Sequence, residues 1–169
     1  MFGKLFGKEK FSLFELGRGY FFDYNNVVWE VVEIHNYKWG VDERTTEYKL
    51  NGYGKEAYLE VEKDDGEIIC NFSVEVDKKD ISPELTESDF EGEDILGELD
   101  YKNQSYILDS IEEGIYNNIT NHESEKLTCF TFVDGEFFVA VEQWEDGSLE
   151  FFSGEEISPK SIKKIRKTK

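Results

Sequence analysis

The side chains best suited to chemistry in this 169-residue chain are few and scattered. His35 and His122 are its only histidines and Cys70 and Cys129 its only cysteines. No two of these four stand at a spacing such as His-x-x-x-His or Cys-x-x-Cys, whereas a zinc site needs three or four such ligands. The cysteines read as small buried hydrophobes that stay reduced in a cytoplasm. No Gly-x-Ser-x-Gly elbow or phosphate-binding loop is present, and Gly17-Arg18-Gly19-Tyr20 lacks the third glycine and the following helix of a dinucleotide turn. Asp64, Asp65 and Glu67, or Asp77 and Asp80, could hold Ca²⁺ or act as an acid–base pair. Asp65-Gly66 is already explained as a hairpin turn, however, and no calcium-loop spacing surrounds it. No catalytic residue, metal or cofactor is therefore expected, and the chain reads as non-enzymatic.

Aromatic side chains offer a different kind of site. Tyr37, Trp39 and Tyr53 fall on what read as connecting segments, where alternation cannot assign them to a core face. Such segments carry binding residues disproportionately, so these three form the candidate interaction surface. The competing reading has the same rings covering the open end of a β unit.

Charge limits the partners. Asp and Glu number 38 against 19 Lys and Arg, a net charge of −19, which argues against direct nucleic-acid binding. The imbalance is local: residues 11–159 carry 10 bases and 37 acids, while both ends are basic. A partner protein with a basic surface follows. The basic termini, Lys4, Lys8 and Lys10 among Phe2, Leu5 and Phe6 at one end and residues 160–169 at the other, could make weak peripheral membrane contact, but no run approaches the length of a membrane-spanning helix, and the expected compartment is the cytoplasm or its membrane periphery. The acidic stretch from Glu84 to Asp100 reads as a solvated connector.

The elements that would position any site come from an internal repetition. Phe22-Asp23-Tyr24 with Trp29 and Val31 answers to Leu99-Asp100-Tyr101 with Tyr106 and Leu108 at a constant offset of 77 residues. Asn51-Gly52 matches Asp134-Gly135, Tyr58 to Glu62 matches Phe138 to Glu142, and Ile81-Ser82-Pro83 recurs as Ile157-Ser158-Pro159. Apolar pairs two apart share one face of an extended chain, and Asn-Gly and Asp-Gly between such pairs signal hairpins. Strands are expected near 20–24, 27–34, 45–50, 57–62, 67–76, 98–101, 104–111, 127–132, 136–142 and 148–152. The fold class is all-β, with two antiparallel meander repeats packed around one shared core as a compact sandwich or barrel-like unit with little helix. The organisation reads as a basic, apolar N-terminal segment (1–15), repeat 1 (16–83), an acidic connector (84–96), repeat 2 (97–159) and a basic, frayed C-terminal tail (160–169).

Leu16-Gly17-Arg18-Gly19, Phe22-Asp23-Tyr24, Trp29-Glu30-Val31, Tyr37-Lys38-Trp39, Glu47-Tyr48-Lys49-Leu50 and Tyr58-Leu59-Glu60-Val61-Glu62 together resemble an uncharacterised bacterial family, domain of unknown function 4178, over residues 11–160. The resemblance implies a link to envelope-stress physiology and carries over no catalytic residue. The second half departs from the pattern, with Tyr106 where the first has Trp29 and no clear counterpart of Trp39.

Three functions remain in view. The leading one is a binding or adaptor domain. A nucleic-acid mimic would instead show carboxylates in two rows on one face, and an enzyme with an unfamiliar carboxylate site would show a deep pocket of convergent acids with shifted pKa values.

Overall fold

Runs such as Tyr58-Leu59-Glu60-Val61-Glu62 alternate apolar and acidic side chains, and extended backbone sends them to opposite faces. The computed structural model describes residues 11–167 and realises that alternation in twelve strands. In chain order they are β1 (Tyr20–Tyr24), β2 (Val27–Trp39), β3 (Glu43–Gly52), β4 (Lys55–Asp64), β5 (Glu67–Glu75), β6 (Ile81–Ser82), β7 (Glu98–Tyr101), β8 (Gln104–Asn118), β9 (Ser124–Asp134), β10 (Phe137–Trp144), β11 (Leu149–Ile157) and β12 (Lys163–Lys167). The ten expected strands are all present, several extended by a few residues, and short 3₁₀ turns are the helical content of the described residues. The all-β reading holds.

All pairings are antiparallel, and β2-β3-β4-β5-β11-β10-β9-β8 close on themselves through β2–β8 into an eight-stranded ring. The halves join at four places: β2 with β8, β5 with β11, β1 with β12, and β6 with β7. Two long strands make this possible. β2 pairs with β1 through Glu30, shifts register between Val31 and Glu33, and then reaches β8 from His35 to Trp39. β8 behaves alike, pairing with β7 through Ile107, shifting between Leu108 and Ser110, and meeting β2 from Gly114 to Asn118. A bulge bends a strand and strengthens its twist, which lets one strand serve two neighbours in succession.

Instead of one shared core, two apolar clusters form. The first gathers Phe22, Val31, Tyr48, Leu50, Leu59 and Val61 with Ile157 and Ile162 from the far end of the chain. The second gathers Tyr106, Phe130, Phe132, Val139 and Val141 with Ile81, Leu85 and Phe90. The cause lies in the strands' other faces, which are too rich in Glu to pack dry against each other.

Other expectations are corrected as well. Asn51-Gly52 is not the hairpin turn: both residues pair with β4, and Tyr53-Gly54 turn with φ of 52° and 76°. Gly52 is required because a Cβ there would come within 2.7 Å of the Trp29 ring. Asp65-Gly66 does turn where expected, with φ of 45° and 88°. The acidic connector is not simply solvated, since Leu85 and Phe90 are buried in the second core. Residues 160–167 are not a frayed tail: Ser158 caps a 3₁₀ turn begun by Pro159, Ile162 enters the first core, and β12 follows. Lys164 Nζ and Arg166 Nη1 hold Asp23 on β1 at 3.2 and 3.0 Å. The two Ile-Ser-Pro tripeptides occupy different places, the first at β6 and the second at the end of β11. The N-terminal basic segment expected to touch membrane, residues 1–10, lies outside the described residues.

Candidate functional site

The side chains opposite the apolar cores point into the ring. All eight ring strands contribute to the lining of a cavity of about 860 Å³, including Trp39, Glu47, Glu60, Asn71, Glu112, Cys129, Glu142 and Glu156. Eleven carboxylates and two cationic side chains, Arg44 and Lys63, are counted among the described lining residues. The cavity reaches the end of the ring that carries the β2–β3, β4–β5 and β9–β10 turns, where Asp42, Asp64 and Glu136 line it.

Depth follows from strand position. Inward from that mouth, β3 presents Glu43, Thr45 and then Glu47, and β4 presents Glu62 and then Glu60. Glu47 and Glu60 are directly paired across β3 and β4. On the opposite wall, Glu142 on β10 and Glu112 on β8 both pair with Cys129 on β9. Thr45 Oγ1 accepts from Trp39 Nε1 at 3.0 Å and donates to Glu62 at 3.4 Å, and Asn71 Nδ2 donates to Glu60 at 3.5 Å. Glu142 is only 7% exposed and has no hydrogen-bond partner among the described residues.

Burial and mutual repulsion act together on these acids. Loss of water, then the charge of Glu47, pushes the Glu60 carboxyl up to about 8. The same two causes, joined by the charge of Glu60, raise Glu142 well above the usual carboxylate range. Burial raises the Cys129 thiol well above its ordinary value, with Glu142 and Glu60 adding to it, which disfavours the nucleophilic thiolate form.

Aromatic rings follow the same descent. Trp39 stacks on Tyr37 with centroids 5.3 Å apart and planes 4° from parallel, and Tyr37 Oη donates to Glu47 at 3.3 Å. Tyr116 on β8 meets the rings of Tyr37, His35 and Trp144 at 5.4, 5.1 and 5.3 Å. His35 lies between two carboxylates, its Nδ1 2.8 Å from Glu47 and its Nε2 3.2 Å from Glu33. Both nitrogens can donate only when the ring is charged. Burial would lower the imidazole pKa, but the hydrogen bonds and charges of Glu47 and Glu33 outweigh it and raise it. Asn118 Nδ2 also donates to Glu33, at 3.0 Å, across the β2–β8 seam.

A family model described as a domain of unknown function matches residues 17–159. The chain belongs to that family, DUF4178. No curated protein and no solved structure matches the chain.

In this DUF4178 member, two of the three expected surface aromatics come together and the third stands apart. Tyr37 and Trp39 are not on a connecting segment; they belong to β2, with Tyr37 buried and Trp39 lining the cavity. Tyr53 sits on the β3–β4 turn, at the opposite end of the ring from the mouth, and is 82% exposed. Tyr116 and Trp144 complete the aromatic group and were not anticipated. The expected carboxylate pairs lie elsewhere in part: Asp77 caps a 3₁₀ turn through Lys79 N at 3.0 Å, while Asp64 and Glu67 face each other at the β4–β5 turn. His122 occupies the β8–β9 turn with a φ of 64°. Glu47, Glu60 and Glu142 entered the sequence reading only as parts of the family pattern and the repeat, although an acid beside a core residue in a strand, as next to Tyr48, Leu59 and Val141, was the available signal.

Proposed function

We propose that this domain is a non-enzymatic binding module that receives a positively charged group of a partner protein through the mouth of the ring. The acid-lined interior carries the proposal. Carboxylates turned toward an enclosed space interact more strongly with a cation than the same groups on an open surface, because little water screens them. A nucleic-acid mimic would display its acids on an outer face, whereas the strongest convergence here is internal.

Affinity purification of the full chain from its native cell, beside a Glu47→Gln, Glu142→Gln variant, tests the reading. A partner recovered by the wild type and lost by the variant is the expected result. Recovery of the same proteins by both forms would overturn it.

A second reading, carboxylate acid–base catalysis, is favoured by Glu60, whose elevated pKa near the charge of Glu47 resembles the split acid and base of a catalytic pair. Turnover abolished by Glu60→Gln with ligand binding retained would establish that alternative.

A further inference from the structure

Among the described residues, no three carboxylate, imidazole or thiol groups converge closely enough to hold one metal ion. The acids surround an elongated space instead of a point, running from Asp42 and Glu136 at the mouth past Glu62 to Glu47, Glu60 and Glu142. A hydrated divalent ion would fill a small part of about 860 Å³ and leave most of these oxygens out of reach. A flexible chain with a terminal charge suits the shape better.

Two features of the cavity, one deep and one nearer the mouth, specify that charge. Glu142 is buried and without a hydrogen-bond partner among the described residues, although it lines the cavity. Among the described residues no fully buried side-chain oxygen lacks a partner, so the Glu142 carboxyl opens onto the cavity, where a donor on an entering ligand can reach it. Trp39, stacked on Tyr37 and close to Gly114, lines the wall nearer the mouth, and an aromatic ring there is a surface against which methylene groups and a cation both pack favourably. An alkylammonium has three donors at the tip of an apolar stem, which matches acids below and an aromatic ring above.

We infer that the ring takes up a primary alkylammonium group on an unbranched chain, its charge seated at Glu142 in the deep end of the cavity, facing the wall that carries Glu47 and Glu60, and its stem along the wall that Trp39 lines. This rests on the interior being the binding site and specifies what enters it. Two sources share the chemistry, a free linear polyamine and a lysine side chain of a partner protein.

Isothermal titration of the full chain at neutral pH decides the matter, with 1,4-diaminobutane, butane-1,4-diol, Ca²⁺, and two peptides carrying either lysine or norleucine at one position. Saturable one-site binding of the diamine, the lysine peptide or both is expected, with none for the diol or the norleucine peptide. Diamine alone assigns a free amine as the source, and lysine peptide alone assigns a protein side chain. Binding should weaken at least tenfold in Glu142→Gln while Glu98→Gln, an exposed acid on β7 outside the ring, leaves it unchanged. Glu60→Gln provides the same test should Glu142→Gln fail to fold. Protons should be released on binding, read as a heat that varies with buffer, because an ammonium favours the ionised carboxylates.

The inference is overturned by no saturable heat with either amine, by equal loss in Glu98→Gln, or by Ca²⁺ binding that Glu142→Gln abolishes. If neither amine binds while the partner protein is still lost in the ring variant, the alkylammonium is wrong and the binding module stands. If the diamine binds in the ring and no partner is lost, the reverse holds.

Discussion

On β4, Leu59 and Val61 are fully buried in the first apolar core, while Glu60 between them faces the cavity. On β10, Val139 and Val141 are buried in the second core, while Ala140 between them and Glu142 after them line the cavity. One strand thus serves a dry side and a wet side, and the contrast separates what holds the fold from what the fold holds open. Burying a leucine or valine contributes roughly 1.5–3 kcal/mol, so the two cores supply the stability that lets the interior tolerate repelling acids.

The sharpest way to break this contrast is to damage the dry side. Leu59→Ala should cost about 2–5 kcal/mol in urea denaturation, since it empties a fully buried position. A comparable loss on replacing Glu142 by Gln would show that the interior is structural after all.

Next in size is the β2–β8 seam, where Gly114 faces Trp39 and a Cβ would collide with its ring. Gly114→Val should lower stability by about 1–3 kcal/mol and shift tryptophan emission as Trp39 is displaced. A variant with unchanged emission would mean that the ring does not depend on that close approach.

A smaller effect, of opposite sign, belongs to the wet side. Glu60 holds its proton more tightly when folded, so its ionisation opposes folding. Stability is lost as pH rises from about 4.5 toward 8. His35 works in the same direction: its raised pKa adds stability that is present below about 6.5 and lost at higher pH. Glu33 opposes them weakly, since its pKa is lowered in spite of burial by His35 and Asn118, and its contribution is lost as pH falls below the ordinary range. Thermal unfolding should therefore be highest in mildly acidic buffer, and Glu60→Gln should raise the midpoint by a few degrees at pH 8 while changing little at pH 5. No gain at pH 8 would deny the burial of that carboxyl.

The smallest effect expected is at Asp23, whose bridges to Lys164 and Arg166 are solvent-accessible. Asp23→Asn should produce a slight loss of stability that disappears in high salt. A large, salt-independent loss would place β12 among the structural determinants through charge instead of through Ile162.

Much of the dry side was legible in the sequence and little of the wet side was. Apolar residues two apart announced ten strands because a half-buried strand must alternate, and Asp65-Gly66 announced its turn through the need for positive φ. Asn51-Gly52 misled because Gly52 answers to the Trp29 ring, a tertiary demand that local turn chemistry does not encode. Ile162 and β12 read as a tail because their partners lie more than a hundred residues earlier. Glu47, Glu60 and Glu142 looked like ordinary solvent-facing acids, since alternation gives the face of a strand but not whether that face meets solvent or the inside of a ring. Trp39 lies beyond the strand that alternation alone predicts, whereas β2 continues through it past the bulge at Val31 and Glu33.

The pairing of β1 with β12 sets an order on synthesis. The first core cannot be sealed until Ile157 and Ile162 have left the ribosome, so the early hairpins must wait, partly uncovered, until more than a hundred further residues have been translated. Expression of either half alone should accordingly yield insoluble material, while co-expression of the two as separate polypeptides should restore a folded complex.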